Sequence, residues 1–405
     1  MKPEKNSSMN HKPKLLLLTA PLAPLIGNNA NLLGKLVPFI SQQYDVRLFS
    51  MADGYDHSKL PDMLFGVPVM WGDSNGMNRF MKFVYSVLAR LVDHNGYSDA
   101  IQVLKCTHEI KRIRKTYPFD IAIATIEPYY IGIAPLRLRD VRNVLYLMDP
   151  TNAVQGVYET RFRNKIIGPV IRKEDLIITT PFIKQALQGR GFDTDCVKIA
   201  GFPMIDRSPL KSSLKTENEK IDLLFCGWLY SDIRSPEFFL KTVSYMDERF
   251  RITFMGRDCE KIYDMVKEKI RAEIIAVPQQ TYEVALQTIA DADILINIGN
   301  SVPVHMPSKT LEYINAGKPI INFYKRPDCP TLYYTERYPL CLNVYEGMSD
   351  IREAAKTVIE FCLCNKGRTV DRNDILSEYR DCTPRYIAEK IIEGIDQFYE
   401  SERSV

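Results

Sequence analysis

The 405-residue sequence lacks the features that mark several common protein classes. It has no run of about 18 apolar residues, so no membrane-spanning helix is expected. Lys and Arg number 53 against 50 Asp and Glu, and this net charge of +3 argues against a dedicated nucleic-acid binder. The nine cysteines include no C-x-x-C pair and the five histidines are far apart, so no metal site is expected.

Two glycine motifs are also missing. Without a G-x-G-x-x-G segment a dinucleotide-dependent oxidoreductase is disfavoured, and without G-x-S-x-G there is no sign of a serine hydrolase. Several cysteines lie inside apolar runs, for example Cys226 and Cys362, which is typical of small core residues in a reducing compartment. The apolar run Leu15–Leu18 stops before Pro21, so it favours a buried first strand over a signal peptide. We therefore expect a cytoplasmic protein.

Apolar strand-like runs alternate with helical patterns along the whole chain. This alternation predicts βαβ units and parallel sheets covered by helices. The expected strands are 14–19, 46–49, 120–125, 144–148, 176–180, 197–200, 221–227, 251–255, 273–276, 294–298 and 319–323, and helices are expected at 29–43, 107–116 and 181–189.

A polar segment separates two similar halves. It is rich in Lys, Ser and Glu and has no aromatic residue, as is typical of a linker. A last helix is expected after Thr383, with Pro384 at its first position and apolar residues recurring from Ile387 to Phe398. The predicted divisions are an acceptor-binding domain at 1–205, a linker at 206–220, a donor-binding domain at 221–382 and a terminal helix at 383–405.

The segment 77–92 is amphipathic and carries Arg79, Lys82 and Arg90 among large apolar residues. A basic amphipathic helix can lie in the headgroup plane of a membrane, which would give peripheral membrane contact. The alternative is a helix packed on the core with a solvated basic face, and the periodicity favours this alternative.

The segment 290–321 carries the most informative pattern. A strand ending at Gly299 is followed by a polar loop and a short helix, with Ser308 as the expected N-cap and Gly317 at the C-terminus. Lys309 in the first turn is unfavourable beside the helix dipole unless an anion binds there. Glu312 can accept hydrogen bonds from vicinal hydroxyls such as those of a ribose. The pattern therefore predicts a nucleoside-diphosphate pocket; the alternative is an exposed Lys309–Glu312 ion pair.

These residues resemble a known family. Pro307-Ser308-Lys309-x-x-Glu312-Tyr313, followed by Gly317-Lys318-Pro319-Ile320-Ile321, is similar to the donor-binding half of GT-B glycosyltransferases, in particular the retaining, metal-independent group-one (family-four-like) enzymes. The resemblance is sharp over 291–323 and looser over 221–256, where Gly227 and Arg234 look like the glycine turn and the phosphate-binding arginine.

The resemblance implies an α/β fold with two Rossmann-like parallel-sheet domains facing a central cleft. It also implies that Arg234 and Lys309 neutralise the donor diphosphate, that Glu312 holds the ribose, and that the terminal helix packs back on the first domain. Gly227, Asn300 and Ser308 complete the expected donor site. The alternative for Arg234 is a surface arginine ahead of a helix that Ser235 caps.

The sequence departs from the family pattern at three places. Val304 stands where a second glutamate is often found, Asp149 takes the place of a histidine in the first domain, and Gly27-Asn28 replaces a glycine pair at the expected acceptor site. Asp149 and Glu127 each follow a strand of the first domain. For each of these two residues three roles are open: to take the proton of the acceptor hydroxyl, to hold a sugar, or to have a purely structural role.

The expected function is sugar transfer from a UDP- or GDP-linked donor to a hydroxyl of a glycan or a lipid-linked acceptor, in polysaccharide or glycoconjugate biosynthesis. No cofactor, metal or nucleic-acid partner is expected. One alternative is a nucleotide-sugar 2-epimerase of the same fold. Another is a non-catalytic GT-B subunit that binds a glycan or a partner enzyme.

Overall fold

The chain divides into two compact units in the computed structural model. The first consists of Met1–Pro203 with Pro384–Val405, and the second of Met204–Thr383. The structure describes residues 12–22, 27–73, 77–92, 97–126, 129–138, 140–148, 176–189, 194–195, 197–206, 210, 212, 219–229, 233–266, 270–301, 306–347 and 350–403. Most of the expected linker, 206–220, lies outside these ranges.

The first unit is built on an eight-stranded sheet. Its order is β3-β4-β2-β1-β5-β6-β7-β8, and all neighbouring strands are parallel except β3 and β4. The six strands expected here are confirmed, whereas β3 and β4 were not expected because Gly66 and Pro68 interrupt their apolar pattern. The strands are β1 (Lys14–Leu18), β2 (Asp45–Met51), β3 (Met63–Leu64), β4 (Val67–Gly72), β5 (Ile121–Thr125), β6 (Arg142–Leu147), β7 (Leu176–Thr179) and β8 (Val197–Ile199).

Helices cover this sheet, and one of them differs from expectation. The single helix expected at 29–43 is wrong: the chain forms α1 (Asn28–Gly34) and α2 (Val37–Ile40). Pro38 has no N–H to donate to the carbonyl of Gly34, so a continuous helix would lack a bond there. The other helices of the first part of the chain are α3 (Arg79–Val92), α4 (Tyr97–Arg114), α5 (Tyr129–Ile133) and α6 (Pro181–Gly189).

The second unit contains a six-stranded parallel sheet in the order β11-β10-β9-β12-β13-β14. The five strands expected in this half are confirmed, and β14 was not expected. The strands are β9 (Ile221–Cys226), β10 (Phe250–Met255), β11 (Glu273–Val277), β12 (Ile294–Ile298), β13 (Ile320–Tyr324) and β14 (Cys341–Tyr345). The helices are α7 (Glu237–Val243), α8 (Ile262–Met265), α9 (Tyr282–Asp291), α10 (Lys309–Ala316), α11 (Leu332–Thr335), α12 (Ile351–Asn365) and α13 (Arg372–Glu378).

The last helix, α14 (Pro384–Arg403), belongs to the first unit. Its Ile387, Ile391 and Ile395 are buried, and it packs against α2 and β7. Each unit has its own apolar core around its sheet. Among the described residues, no helix combines the length and apolar content that crossing a bilayer requires.

The strand order of the second sheet locates its ligand-binding edge. The chain leaves β9 towards β10 and β11, then returns to add β12, β13 and β14 on the other side of β9. Ligands of open parallel sheets bind beyond the carboxyl ends of the strands where the order reverses. In this unit that place lies beyond β9 and β12, where Gly227 and Asn300 are found.

Candidate functional site

Arg234 bridges the loops that follow β9 and β12. Its Nε donates a hydrogen bond to Oδ1 of Asn300 at 3.0 Å, and the main-chain N–H of Ser301 donates to the carbonyl of Ile233 at 2.8 Å. Arg234 is only 9% exposed, so the alternative of a surface arginine is wrong. The structure therefore places a fixed guanidinium at the reversal of strand order.

The guanidinium of Arg234 lies beside the main chain at Gly227 and Trp228. A Cβ at Gly227 would lie 3.6 Å from Nη1 of Arg234, and this Nη1 donates to the carbonyl of Trp228 at 3.4 Å. Gly256, after β10, approaches from the other side with φ +137°, and a Cβ there would lie 1.9 Å from the carbonyl oxygen of Gly227. Only glycine fits such a contact and such a φ. Gly256 was not predicted from the sequence, because its close contact with Gly227 joins two different strands.

Trp228 and Arg257 add an aromatic face and a second guanidinium beside Gly227. The guanidinium carbon of Arg257 lies 4.1 Å from the centroid of the Trp228 ring, within the range of a cation–π contact. The indole N–H of Trp228 donates to Oδ2 of Asp258 at 2.7 Å. The sequence signal for Arg257 was available, since it follows a buried strand of the parallel sheet.

Tyr313 ties α10 to the end of β9. Its hydroxyl accepts a hydrogen bond from the main-chain N–H of Cys226 at 2.8 Å and donates one to the carbonyl of Cys226 at 3.2 Å. Burial raises the pKa of Tyr313 well above its ordinary value, so the hydroxyl keeps its proton. Lys309 precedes Tyr313 by one helical turn and is thereby held near the end of β9.

Lys309 and Glu312 form an ion pair within the first turn of α10. The side chains are 25% and 8% exposed, so the pair expected as an alternative does form, but it is largely withdrawn from solvent. Burial lowers the pKa of Lys309, and the Glu312 carboxylate, helped by Cys226 and Tyr282, outweighs this effect, so the pKa lies above its ordinary value. The lysine is a permanent cation at this helix end.

The two ends of α10 agree to different extents with what the sequence predicts for them. Ser308 occupies the N-cap position, as expected, but it has helical dihedral angles (φ −57°, ψ −29°) and its side chain caps no backbone N–H. A capping serine needs extended angles to direct its oxygen at the first turn. Gly317 at the C-terminus is confirmed, with φ +74°.

A chain of buried amides connects α10 to the sheet. Thr310 Oγ1 donates to Oδ1 of Asn297 at 3.2 Å, Asn297 Nδ2 donates to Oδ1 of Asn322 at 2.7 Å, and Asn322 Nδ2 donates to Oδ1 of Asn343 at 2.8 Å. The three asparagines are in register on β12, β13 and β14. This network was not predicted from the sequence, since each asparagine by itself is a single polar residue in an apolar run.

The remaining predicted residues are in the first unit or outside the described residues. Gly27 immediately precedes α1 and its N–H donates to the carbonyl of Pro21 at 2.9 Å. Asn28 is the first residue of α1, and its side chain is not among those described. Asp149 and Glu127 both lie outside the described residues, as does Val304. The residues predicted for a donor site all lie in the second unit, namely Gly227, Arg234, Asn300, Ser308, Lys309 and Glu312.

No group of three His, Cys, Asp or Glu side chains able to hold a metal ion occurs within the described ranges. Asp291 and Asp293 lie at the amino end of β12, and Asp293 Oδ2 accepts from the N–H of Asp222 at 3.0 Å. They are therefore at the edge of the sheet opposite to Lys309.

Comparison with known proteins gives no match to a family model or to a curated sequence. Solved structures do match. A sucrose-phosphate synthase from Thermosynechococcus elongatus is similar with a TM-score of 0.69 at 12% identity, over 96% of this chain and 100% of that one. HepE of Anabaena in complex with UDP and glucose matches with a TM-score of 0.60 at 14% identity, over 97% and 100%. The lipopolysaccharide outer core galactosyltransferase WaaB matches with a TM-score of 0.58 at 12% identity, over 95% and 99%.

The same fold also occurs in a protein of the alternative class. A putative UDP-N-acetylglucosamine 2-epimerase from Listeria monocytogenes matches with a TM-score of 0.60 at 10% identity, over 96% of this chain and 97% of that one. The similarity therefore identifies architecture rather than reaction. With two parallel α/β sheets and neighbours among the group-one glycosyltransferases, the chain has the GT-B fold.

Proposed function

We propose that the protein is a glycosyltransferase whose nucleotide-sugar donor binds the second unit. The observation that carries the proposal is that two cations are each tied to the end of β9, where the strand order reverses: Arg234 is bonded to Asn300 and to the carbonyl of Trp228, and Lys309 lies one turn before Tyr313, which is bonded to Cys226. Main-chain N–H groups at the start of α10 point to the same edge. This combination suits a diphosphate, and the binding of UDP by the similar HepE structure supports that choice.

The Lys309–Glu312 pair suggests how the donor is recognised. A bound diphosphate would replace the Glu312 carboxylate as counter-ion of Lys309, because two phosphate charges attract the ammonium more strongly than one carboxylate. Glu312 is then available to accept hydrogen bonds from the ribose hydroxyls. The ion pair thus keeps both side chains oriented before the donor arrives.

The same groups would promote departure of the nucleoside diphosphate from the anomeric carbon. Negative charge grows on the phosphate oxygens as that bond breaks, so preorganised cations stabilise the transition state more than the ground state. By resemblance to the family we propose retention of configuration and no requirement for a metal. We assign the acceptor hydroxyl's proton to Asp149 or Glu127, and Gly27 and Asn28 to the acceptor site.

We propose a glycan or lipid-linked acceptor and a role in polysaccharide or glycoconjugate biosynthesis, at a cytoplasmic location. A lipid-linked acceptor is presented at a membrane surface, so peripheral membrane contact through 77–92 is part of the proposal. The donor base is uridine or guanosine.

The test is substitution of Lys309 with product formation as the readout, after thermal-shift measurements with UDP, GDP and their sugars identify a donor. Lys309→Ala is expected to lower turnover by about 10²-fold or more. Lys309→Ala leaves the Glu312 carboxylate buried without its lysine, so the double variant Lys309→Ala/Glu312→Gln is measured beside it. We expect the double variant to recover stability but not turnover. Lys390→Ala, which removes another i,i+3 ion pair, with Glu393, is the matched control. Unchanged turnover in Lys309→Ala would contradict the mechanism.

The second candidate function is a nucleotide-sugar 2-epimerase, which the similarity to the Listeria structure favours. An epimerase converts the donor in the absence of any acceptor, whereas a transferase needs both substrates. Incubating the donor alone and following its sugar by NMR distinguishes the two reactions. A non-catalytic subunit would bind the nucleotide sugar or a partner and give no product under either condition.

A further inference from the structure

Helix α3 presents its large apolar side chains to solvent. Leu91 is 78% exposed, Phe80 71% and Phe83 66%, and Val87 and Leu88 are each about two-fifths exposed. These exposures are the reverse of what the sequence pattern favoured, a helix with its apolar side packed on the core. A helix on a soluble domain normally turns its apolar face to the core, so an apolar face on the outside points to a partner.

The exposed residues form one face. Phe80, Phe83, Val87 and Leu91 are spaced i, i+3, i+7 and i+11, which places them along one side of a helix. The opposite side contacts α4 through Tyr85, whose hydroxyl lies 3.4 Å from Nδ1 of His108. The apolar face therefore points away from the helix on which α3 packs.

One edge of this face is basic. Residues 77–92 contain Arg79, Lys82 and Arg90 and no acidic residue before Asp93. Arg79 and Arg90 are both exposed, and their separation of eleven residues puts them along the same edge of the apolar face.

Helix α4 adds positive charge near the start of α3. The two helices pack together and are joined by four residues, so they run antiparallel, and the end of α4 lies beside the start of α3. Lys111 and Lys115, at that end, are both exposed. Glu109, the acidic residue in the same turn, is buried and paired with Arg112.

We propose that α3 docks in the interface of a bilayer that contains anionic lipids. Phe80, Phe83 and Leu91 enter the boundary between headgroups and acyl chains, while Arg79 and Arg90 contact lipid phosphates. An apolar protein groove would accommodate the aromatic face but would not account for the two arginines along its edge, which suit anionic lipid phosphates. This inference deepens the membrane contact that is part of the proposed function, because it names the lipid class and the side chains that meet it. Its failure would leave the proposed sugar transfer standing, since transfer is measured with donor and acceptor and docking needs neither.

Sedimentation of the full-length protein with vesicles tests the proposal. Vesicles of phosphatidylcholine alone are compared with vesicles that also contain phosphatidylglycerol, in the absence of nucleotide. We expect binding to the anionic vesicles, loss of at least about tenfold in affinity for Phe80→Ser/Phe83→Ser/Leu91→Ser, and a similar loss for Arg79→Gln/Lys82→Gln/Arg90→Gln. Raising the ionic strength from about 0.05 to about 0.5 M should weaken wild-type binding, because surface charges are then screened.

Leu363→Ser, which removes an apolar side chain that is 45% exposed on α12, is the matched control and should bind like the wild type. Thermal unfolding of each variant verifies that it is folded. The proposal is overturned if the wild type does not bind anionic vesicles, or if folded variants of α3 bind as well as the wild type. It is also overturned if the wild type is a dimer that the Phe80, Phe83 and Leu91 changes dissociate, with no vesicle binding, because the face would then be an interface between two copies of the chain.

Discussion

Glu346, directly after β14, holds a carboxyl where its charge is disfavoured. Burial raises its pKa to about 7; Lys325, with Nζ 4.0 Å from the carboxylate, partly offsets this, and Glu237 adds to it. The folded protein thus favours the neutral carboxyl. The contribution of this group to the free energy of unfolding is fully present below pH 4.5 and is lost as the pH rises through about 7.

We predict that Glu346→Gln, which mimics the neutral form, removes this pH dependence. The shift corresponds to a change of about 3 kcal/mol in the free energy of unfolding between the two ends of the range. Denaturant unfolding at about pH 5 and about pH 8 measures it as the difference between wild type and variant. The exposed Glu360→Gln is the control, and parallel pH profiles for wild type and Glu346→Gln would disprove the prediction.

Gly256 provides a second prediction at the scale of one residue. Gly256→Ala should destabilise the second unit by roughly 3 kcal/mol or more, because the new Cβ meets the carbonyl of Gly227 in addition to the strain of a positive φ. Gly54→Ala separates the two effects, since Gly54 also has a positive φ but a Cβ there would meet no atom within 4 Å. Thermal unfolding compares the two variants, and equal losses would mean that the close contact is unimportant.

Among the elements, α10 depends on the amide network beneath it. Asn322→Leu keeps the volume but leaves Asn297 Nδ2 without its acceptor, whereas Asn343 Oδ1 still accepts from Thr335 Oγ1 at 2.7 Å. A buried polar group left unpaired costs about 1–3 kcal/mol. We predict that Asn322→Leu alone lowers the free energy of unfolding by more than the additional step to Asn322→Leu/Asn297→Leu. The reason is that Asn297→Leu removes the amide that Asn322→Leu had left without its partner. A double-mutant cycle from denaturant unfolding gives the coupling, and additive losses would show that the amides act independently.

At the scale of the whole molecule, the two units have separate cores and the residues of the proposed donor site all lie in the second. A donor nucleotide at about 100 times its dissociation constant should add about 2.7 kcal/mol to the stability of the part that binds it. We therefore predict that UDP or GDP slows hydrogen exchange in β9, β12 and α10 and leaves β1 and β5 unchanged. Mass spectrometry of the exchanged peptides measures this, and protection confined to the first unit would contradict the donor site.

Much of the architecture follows from local patterns. Eleven strands were predicted because buried parallel strands are continuous apolar runs, and Gly317 was predicted because a helix end with positive φ favours glycine. Three strands escaped prediction: β3 has only two residues, β4 contains Pro68, and β14 has the polar Asn343 at its centre, whose partner Asn322 is distant in sequence. The helix expected at 29–43 was wrong because periodicity alone does not weigh the bond that Pro38 cannot make.

The sequence by itself determined the α/β alternation and the residue types that suit a nucleoside diphosphate, since both depend on spacing along the chain. Only the tertiary structure decided which groups meet: Arg234 with Asn300, Tyr313 with Cys226, Gly256 with Gly227, and the amides across three strands. It also decided that the apolar face of α3 points outward. The physical reason is that an amphipathic pattern states which side of a helix is apolar, whereas the packing of the remaining chain determines which side meets water.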